Sequence, residues 1–165
     1  MNNKTALVLG GSGGIGLEIV KSLARKGIKV CATYNNSKNE LEKVQRSNEK
    51  AVSICQINLS DENSVNQAFQ KILADYDMMD IVIFSVTEKV KNKNILNAEW
   101  KDFEEHIDLQ IKGLFNVVRN LKEQIASKHK TKFIIMLTEY CIGKPPAGIS
   151  HYVAAKYCLM GFAKT

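Results

Sequence analysis

Two residues in the last part of the sequence have side chains suited to proton transfer. Tyr152 and Lys156 lie four positions apart, a spacing that places both side chains on one face of a helix. A phenol has an ordinary pKa of about 10, but a neighbouring ammonium group favours the phenolate and lowers that pKa. The pair therefore predicts a tyrosine that acts as an acid or a base, tuned by Lys156. The same spacing also occurs on ordinary helix surfaces, so the interpretation depends on the rest of the chain.

A glycine-rich turn near the start of the chain indicates a binding site for a dinucleotide, beside which this pair would act. Residues 10–16 read Gly-Gly-Ser-Gly-Gly-Ile-Gly, between an apolar run and a helical pattern. In a dinucleotide site, Gly10 would turn the chain, Gly14 would let the backbone approach a pyrophosphate, and Gly16 would let the helix pack closely. The free N–H groups at the start of that helix favour a phosphate. A flexible glycine loop is the alternative, but a second strand follows at 28–33, which favours the dinucleotide.

The rest of the sequence alternates apolar runs with amphipathic segments. The apolar runs that predict strands are 6–9, 28–33, 51–57, 80–84 and 132–137. Helical patterns separate them, including one capped by Asp61 and a long one opened by Trp100. Strands that are apolar on both faces and alternate with helices predict an α/β fold, a Rossmann-like, doubly wound parallel sheet with helices on both faces. With 165 residues, 45% of them apolar, the chain is expected to form one domain, 1–165.

Charge and cysteine spacing argue against several functions. The chain carries 23 Lys and Arg residues against 17 Asp and Glu residues, a net charge of +6, but the basic residues are dispersed, so we expect no nucleic-acid partner. The densest basic segment, 89–93, is either plain loop surface or a site of attraction for an anionic substrate carrier. The four cysteines show no Cys-x-x-Cys spacing, and His106, His129 and His151 lack metal-ligand spacing, so no metal is expected. The apolar runs are too short for a signal peptide or a membrane span, and we expect a soluble, cytoplasmic protein.

Taken together, the motifs resemble those of the short-chain dehydrogenase/reductase family, in particular the 3-oxoacyl-acyl-carrier-protein reductases. They are Gly10-xxx-Gly14-Ile15-Gly16, Lys112-Gly113-Leu114-Phe115-Asn116, and Tyr152-xxx-Lys156 with Ala154-Ala155 between them. The resemblance implies that Tyr152 passes a proton to or from the substrate oxygen. It implies that Lys156 lowers the tyrosine pKa and holds the nicotinamide ribose, and that a nicotinamide cofactor supplies hydride.

The resemblance also implies how the chain would assemble and continue. A dimer or tetramer of identical chains is expected, paired through the long helix from Trp100 and the helix from Tyr152. The family continues through two more strands and a loop that covers substrate, so we expect the last strands of the sheet to be missing from residues 1–165. Strand five would then have an unpaired edge.

The resemblance is incomplete at several positions of the site. The family serine, thirteen residues before the tyrosine, falls on Glu139, and an ionised carboxylate there would repel the charge that develops on a carbonyl oxygen. Thr138 offers a hydroxyl one residue earlier, and the two residues remain alternatives. Gln110 stands where the family has a helix asparagine that anchors a water, and Asn58 where it has an aspartate near the adenine. The family's Asn-Asn-Ala-Gly after strand four is replaced by 84–87, Phe-Ser-Val-Thr.

Residues expected to contact the cofactor lie mainly where the first four strands end. They are Gly10, Ser12, Gly13, Gly14, Ile15, Gly16, Tyr34, Asn35, Asn36, Ser37, Asn58, Leu59 and Ser85, together with Lys156. An acidic residue after strand two would bind the adenosine ribose and exclude a 2′-phosphate, but none occurs there before Glu40. Amides, a hydroxyl and Lys38 suit a phosphate, so NADP(H) is favoured over NAD(H). A solvated turn is the alternative.

Three functions fit these residues. The first is an NADPH-dependent carbonyl reductase for a small-molecule or acyl-carrier-bound substrate, most simply a 3-oxoacyl thioester. The second is a catalytically impaired binding or scaffolding subunit, which the replacements at 84–87 and Glu139 favour. The third and weakest is an epimerase or dehydratase in which Glu139 removes a proton from carbon.

Overall fold

In the computed structural model, which describes residues 4–127 and 130–165, five strands form one parallel sheet. They are β1 (Thr5–Leu9), β2 (Lys29–Tyr34), β3 (Val52–Gln56), β4 (Ile81–Phe84) and β5 (Lys132–Ile135). Their order across the sheet is β3-β2-β1-β4-β5. β1 therefore lies in the middle, where Ala6 pairs with Val30 on one side and with Ile81 on the other. His129, considered above as a metal ligand, and residues 1–3 lie outside the described residues.

Helices alternate with these strands and cover both faces of the sheet. Those within the described residues are α1 (Gly14–Arg25), α2 (Asn39–Ser47), α3 (Glu62–Asp75), α4 (Trp100–Ile107), α5 (Gly113–Asn120), α6 (Lys122–Ala126) and α7 (Ser150–Ala163). As predicted, Asp61 caps α3, because its carboxylate accepts the N–H of Asn63 at 2.9 Å. The observed architecture confirms the predicted doubly wound α/β fold.

Side chains along β1 alternate between the two faces of the sheet, and each face packs against its own layer of helices. Leu7 and Leu9 pack in the cluster that holds Phe69 of α3 and Val117 of α5. Residues 6 and 8 point to the opposite face and pack with apolar residues of α1 and α2. Both layers bury their apolar side chains against the same central strand, which stabilises the fold through removal of apolar surface from water.

Three details differ from the sequence-based expectation. β5 is not buried on both faces, since Ile134 is 45% exposed; its pairing with β4 alone, among the described residues, agrees with the expected unpaired edge. α7 begins at Ser150, two residues before Tyr152. The long helix from Trp100 contains a π-helical turn, Asp108–Lys112, between α4 and α5, which the spacing of its apolar residues does not reveal.

The described residues also contain no helix that is both long and apolar enough to cross a membrane. Within residues 4–127 and 130–165, no group of three or more His, Cys, Asp and Glu side chains is arranged to hold a metal ion.

Candidate active site

The glycine turn between β1 and α1 is built on close backbone contacts. Gly10 has a φ of +80°, and a Cβ there would lie 2.5 Å from the carbonyl oxygen of Ser85 at the end of β4. A Cβ at Gly16 would overlap the carbonyl oxygen of Gly10. On the other side, the N–H of Gly11 donates to the carbonyl oxygen of Thr33 at 2.9 Å. Only glycine at positions 10 and 16 lets β1, β4 and the first turn of α1 meet in this way.

This turn forms one wall of a cleft of about 560 Å³ at the carboxyl ends of the strands. Gly13, Gly14 and Ile15 bring the start of α1 to the cleft, and the first turn of that helix carries no acidic side chain. The positive end of the helix dipole and the free N–H groups there favour an anion. The site fits the diphosphate of a dinucleotide, because glycine leaves open space at both residue 13 and residue 14.

Most of the predicted cofactor residues line this cleft. They are Gly10, Ser12, Gly13, Gly14, Ile15, Tyr34, Asn35, Asn36, Ser37, Leu59 and Ser85. The lining also includes residues that sequence reasoning did not assign to the cofactor: Thr33, Ile57, Val86, Thr87, Glu88 and Leu109. Most of these directly adjoin strand ends, and that position was the signal that could have found them.

Gly16, Asn58 and Lys156 do not line the cleft. Gly16 lies below the turn, where it packs on Gly10. The side-chain oxygen of Asn58 accepts the N–H of Ser60 at 3.2 Å, and Asn58 lines a neighbouring cavity of about 260 Å³. Its side chain is therefore engaged in a local turn.

The lysine considered for a 2′-phosphate is engaged in an ion pair. Lys38 Nζ lies 2.8 Å from a carboxylate oxygen of Glu42, one helical turn along α2. The hydrogen bond to Glu42 raises the pKa of Lys38. The pair is exposed to solvent, so a phosphate at the Ser37 end of the cleft would compete with one carboxylate for this ammonium group.

Tyr152 and Lys156 lie on the same side of α7. Lys156 Nζ is 5.8 Å from the centre of the Tyr152 ring and donates a hydrogen bond to the carbonyl oxygen of Met136 at 2.8 Å. Lys156 is only 3% exposed, and its burial lowers its pKa to about 8. The hydrogen bond to the end of β5 fixes the ammonium group beside the tyrosine ring.

Thr138 and Glu139 follow this anchor at Met136 by two and three residues. Thr138 is half-buried, and its hydroxyl oxygen accepts the N–H of Tyr140 at 3.5 Å at the start of a 3₁₀ turn, Glu139–Cys141. A hydroxyl that accepts keeps its own proton for donation. The Glu139 side chain is exposed. The structure thus places both candidates for the serine position in the same turn.

The loops after β4 and β5 are joined beside α4. The N–H of Lys93 donates to the carbonyl oxygen of Gly148 at 2.7 Å, and Lys93 Nζ lies 2.6 Å from Asp102. Lys91 pairs with Glu105 at 3.4 Å. Two of the three lysines of the 89–93 segment are therefore paired with acidic residues of α4, which favours the plain-surface interpretation of that segment.

The buried lysine predicts a pH-dependent stability. Because the folded pKa of Lys156, about 8, lies below the value of about 10.4 in an unfolded chain, the unfolded state binds more protons between these pH values. The free energy of unfolding should therefore rise with pH across this window, by about 3 kcal/mol relative to a Lys156→Met variant. Urea unfolding of both proteins at about pH 7.5 and pH 10 measures this difference; identical pH dependence would contradict it.

A parallel sheet ordered β3-β2-β1-β4-β5, with a glycine turn at its first β-α connection, defines the class of doubly wound, Rossmann-like folds. Within that class, residues 4–165 match the family described as short chain dehydrogenase, and the chain belongs to this family. The match begins at the first described residue and includes both the glycine turn and the pair on α7.

Individual relatives agree with this assignment. The 3-oxoacyl-(acyl-carrier-protein) reductase FabG of Staphylococcus epidermidis is 29% identical over 168 residues, which cover 99% of this chain and 67% of the relative. A fatty acyl-CoA reductase of Acinetobacter baylyi is also 29% identical, over 99% of this chain and 56% of that protein. The crystal structure of a dehydrogenase/reductase from Sinorhizobium meliloti superposes with a TM-score of 0.85 at 27% identity, over 98% of this chain and 64% of the other. The chain thus spans about two thirds or less of the length of these relatives.

Proposed function

We propose that the protein is an NADPH-dependent reductase that converts the ketone of a 3-oxoacyl thioester to an alcohol. The observation that carries this proposal is the buried Lys156, held by the carbonyl oxygen of Met136 with its ammonium group 5.8 Å from the Tyr152 ring. Burying an ammonium group is costly unless its charge is used, and here the charge lies beside a phenol that follows a dinucleotide-type turn in the same fold.

The chain's own groups have separate tasks in this reaction. When bound, the cofactor supplies hydride to the carbonyl carbon, and the glycine turn and the start of α1 hold its phosphates. Tyr152 gives its phenolic proton to the carbonyl oxygen, so that C=O becomes CH–OH. Lys156 stabilises the phenolate that remains. Thr138 is the better donor toward the developing oxyanion, because its hydroxyl has a proton to donate and an ionised Glu139 has none.

The substrate class rests on the relatives. Two relatives are named for acting on acyl groups carried as thioesters. A mostly apolar groove of about 460 Å³ also lies between α7 and the loops after β4 and β5, but it is lined by Val153, Ala154 and Tyr157 and not by Tyr152. The groove therefore does not enter the assignment of the substrate.

The proposed preference for NADPH predicts the effect of reversing one charge. Lys38→Glu places a negative charge where Lys38 would meet the 2′-phosphate, so the Kd for NADPH should rise about tenfold while that for NADH stays within about twofold. Neither lysine lines the cleft itself, but Lys38 adjoins Ser37, which does. Lys43→Glu is the matched control, because Lys43 also forms an exposed ion pair, with Glu40 at 2.6 Å, six residues beyond Ser37. Calorimetric titration measures each Kd; equal losses for both cofactors, or for both variants, would contradict the assignment.

We further propose a cytoplasmic homo-oligomer. Large apolar side chains are exposed on the long helix and on α7, at Trp100 (69%), Phe115 (46%) and Tyr157 (45%). Exposed aromatic groups of this kind support a protein interface. The four cysteines are free thiols, which agrees with a reducing compartment. Light scattering that reports a single chain at micromolar concentration would contradict the oligomer.

The central experiment separates this function from that of an impaired binding subunit, which the exposed Glu139 at the serine position favours. The protein is titrated with NADPH and with NADH, and a 3-oxoacyl thioester is then added while the absorbance of the reduced nicotinamide is followed. Binding with turnover is the expected result. Binding without turnover for this and other carbonyl substrates would favour the subunit.

A further inference from the structure

A buried polar cluster lies behind Tyr152, where α4 and the π-helical turn meet the start of α7. It consists of His106, Gln110 and His151, which are 3%, 0% and 2% exposed. The His106 ring lies in the middle of the cluster, since its centre is 5.0 Å from that of His151 and 6.0 Å from that of Tyr152. Polar side chains this deeply buried require a specific set of hydrogen bonds.

His106 and Gln110 are joined by one of these bonds. Gln110 Nε2 lies 3.3 Å from His106 Nδ1, and because an amide nitrogen only donates, Nδ1 accepts and the imidazole proton resides on Nε2. Burial, assisted by His151, lowers the pKa of His106 to about 4; Lys156 and Lys91 act in the same direction, and Glu105 opposes them. His106 is therefore neutral at pH 7 and retains the lone pair that the amide requires.

The opposite end of the amide is left available. Gln110 Oε1 and His151 Nδ1 are buried and have no hydrogen-bond partner within residues 4–127 and 130–165. With Nε2 directed at His106, the amide can exchange its oxygen for its nitrogen only if the imidazole proton moves to Nδ1. The carbonyl oxygen of Gln110 is thereby held as an acceptor in the interior, at the end of the amide opposite His106, whose ring contacts Tyr152.

We propose that His106 is a positioning residue, which orients the Gln110 amide through its Nδ1 and supports the Tyr152 ring with its own ring. The proposal rests on the proposed function, because it concerns the tyrosine that donates the proton. Without His106, both ends of the Gln110 amide lack a partner and the ring of Tyr152 loses a neighbour. The reaction then slows while the cofactor cleft, to which neither His106 nor Gln110 contributes, is unchanged.

The pairing is tested without any activity measurement. In protein labelled with ¹⁵N histidine, NMR should show His106 as the tautomer with a bare Nδ1 and a protonated Nε2 at pH 7. A Gln110→Leu variant should shift the Nδ1 resonance, because it removes the donor. A proton on Nδ1, or a resonance that Gln110→Leu leaves unchanged, would overturn the pairing.

The consequence for the reaction is tested with three further variants. His106→Phe keeps a ring beside Tyr152 but removes the acceptor, and should lower kcat about tenfold with little change in KM or in the Kd for NADPH. His106→Gln restores an acceptor for the amide proton but not the ring, and should recover part of the rate. The double variant His106→Phe/Gln110→Leu should recover the Tm, because both partners become apolar, but not kcat. A kcat unchanged in His106→Phe, or restored in the double variant, would show that the pair only stabilises the fold and would overturn the proposal. Absence of turnover in the unaltered protein would overturn the proposed function and the positioning role with it, and the tautomer measurement would still decide the pairing.

Discussion

Replacing Tyr152 by Phe should lower the rate of carbonyl reduction by about 10²–10⁴-fold, the range typical of a lost general acid. The change removes only the phenolic oxygen and keeps the ring, so the contact with the His106 ring, 6.0 Å between centres, is retained. Because Tyr152 does not line the cleft that holds the glycine turn, the Kd for NADPH should remain within about twofold. Steady-state kinetics and calorimetric titration of the same preparation measure both quantities.

Tyr76→Phe is the matched control for this experiment. The Tyr76 hydroxyl bonds to the Ser53 hydroxyl at 2.8 Å, in contact with β3 and away from α7, so its loss should cost about 1 kcal/mol of stability and leave kcat unchanged. A Tyr152→Phe variant that retains the rate of the unaltered protein would contradict the proposed proton donor. A variant that loses cofactor binding and rate together would show that the residue acts on the fold or on the cofactor instead.

Gly16→Ala should nearly abolish dinucleotide binding and destabilise the protein. The new Cβ would overlap the carbonyl oxygen of Gly10, and since that atom belongs to the backbone of the turn, α1 must move away from β1. We expect a loss of at least about 2 kcal/mol in the free energy of unfolding, comparable with overpacking of a core. Displacement of the helix start should raise the Kd for the cofactor at least about 100-fold, because the phosphates depend on its N–H groups.

Variants at two other glycines distinguish a loss of stability caused by a steric clash from a loss of cofactor binding alone. Gly161 lies on an exposed part of α7 with open space around it, so Gly161→Ala should stabilise the protein by up to about 1 kcal/mol through helix propensity. Gly13 has an extended φ of −166° and open space, but it lines the cleft. Gly13→Ala should therefore weaken cofactor binding and, because residue 13 is the N-cap of α1, cost no more than about 1 kcal/mol of stability. Denaturant unfolding and titration of the three variants measure this pattern; a Gly16→Ala protein as stable as the Gly161→Ala protein would contradict it.

The fold, the glycine turn and the Tyr152–Lys156 pair could be predicted from the sequence, because each depends on residues that are close together in the chain. The turn and the spacing of four specify short-range geometry, which does not depend on how distant parts of the chain pack. The parallel sheet followed from strands and helices in strict alternation, a pattern with few alternative topologies.

What could not be predicted depends on contacts between distant parts of the chain or on competing local bonds. The hydrogen bond from Lys156 to the carbonyl oxygen of Met136 joins α7 to the end of β5, and no pattern of residue types predicts it. The side-chain oxygen of Asn58 accepts the N–H of Ser60, a bond that depends on the path of the loop after β3. The pairing of Gln110 with His106 is different. Because residues four apart are neighbours on any helix, this contact could have been suspected from the spacing.

The central position of β1 has a consequence for how the molecule forms. Of the five strands, Thr5–Leu9 is made first and finds one neighbour in β2 within about thirty residues, but its other edge stays open until Ile81–Phe84 has been made. Contacts of such sequence separation are entropically slow to close. During synthesis the innermost strand therefore keeps an open edge until residue 84 has been added. Until then the carbonyl of Ser85 is also missing from the contact that shapes the glycine turn. The glycine turn and the second edge of β1 are thus expected to be completed in the same step of folding, before β5 is added to the sheet.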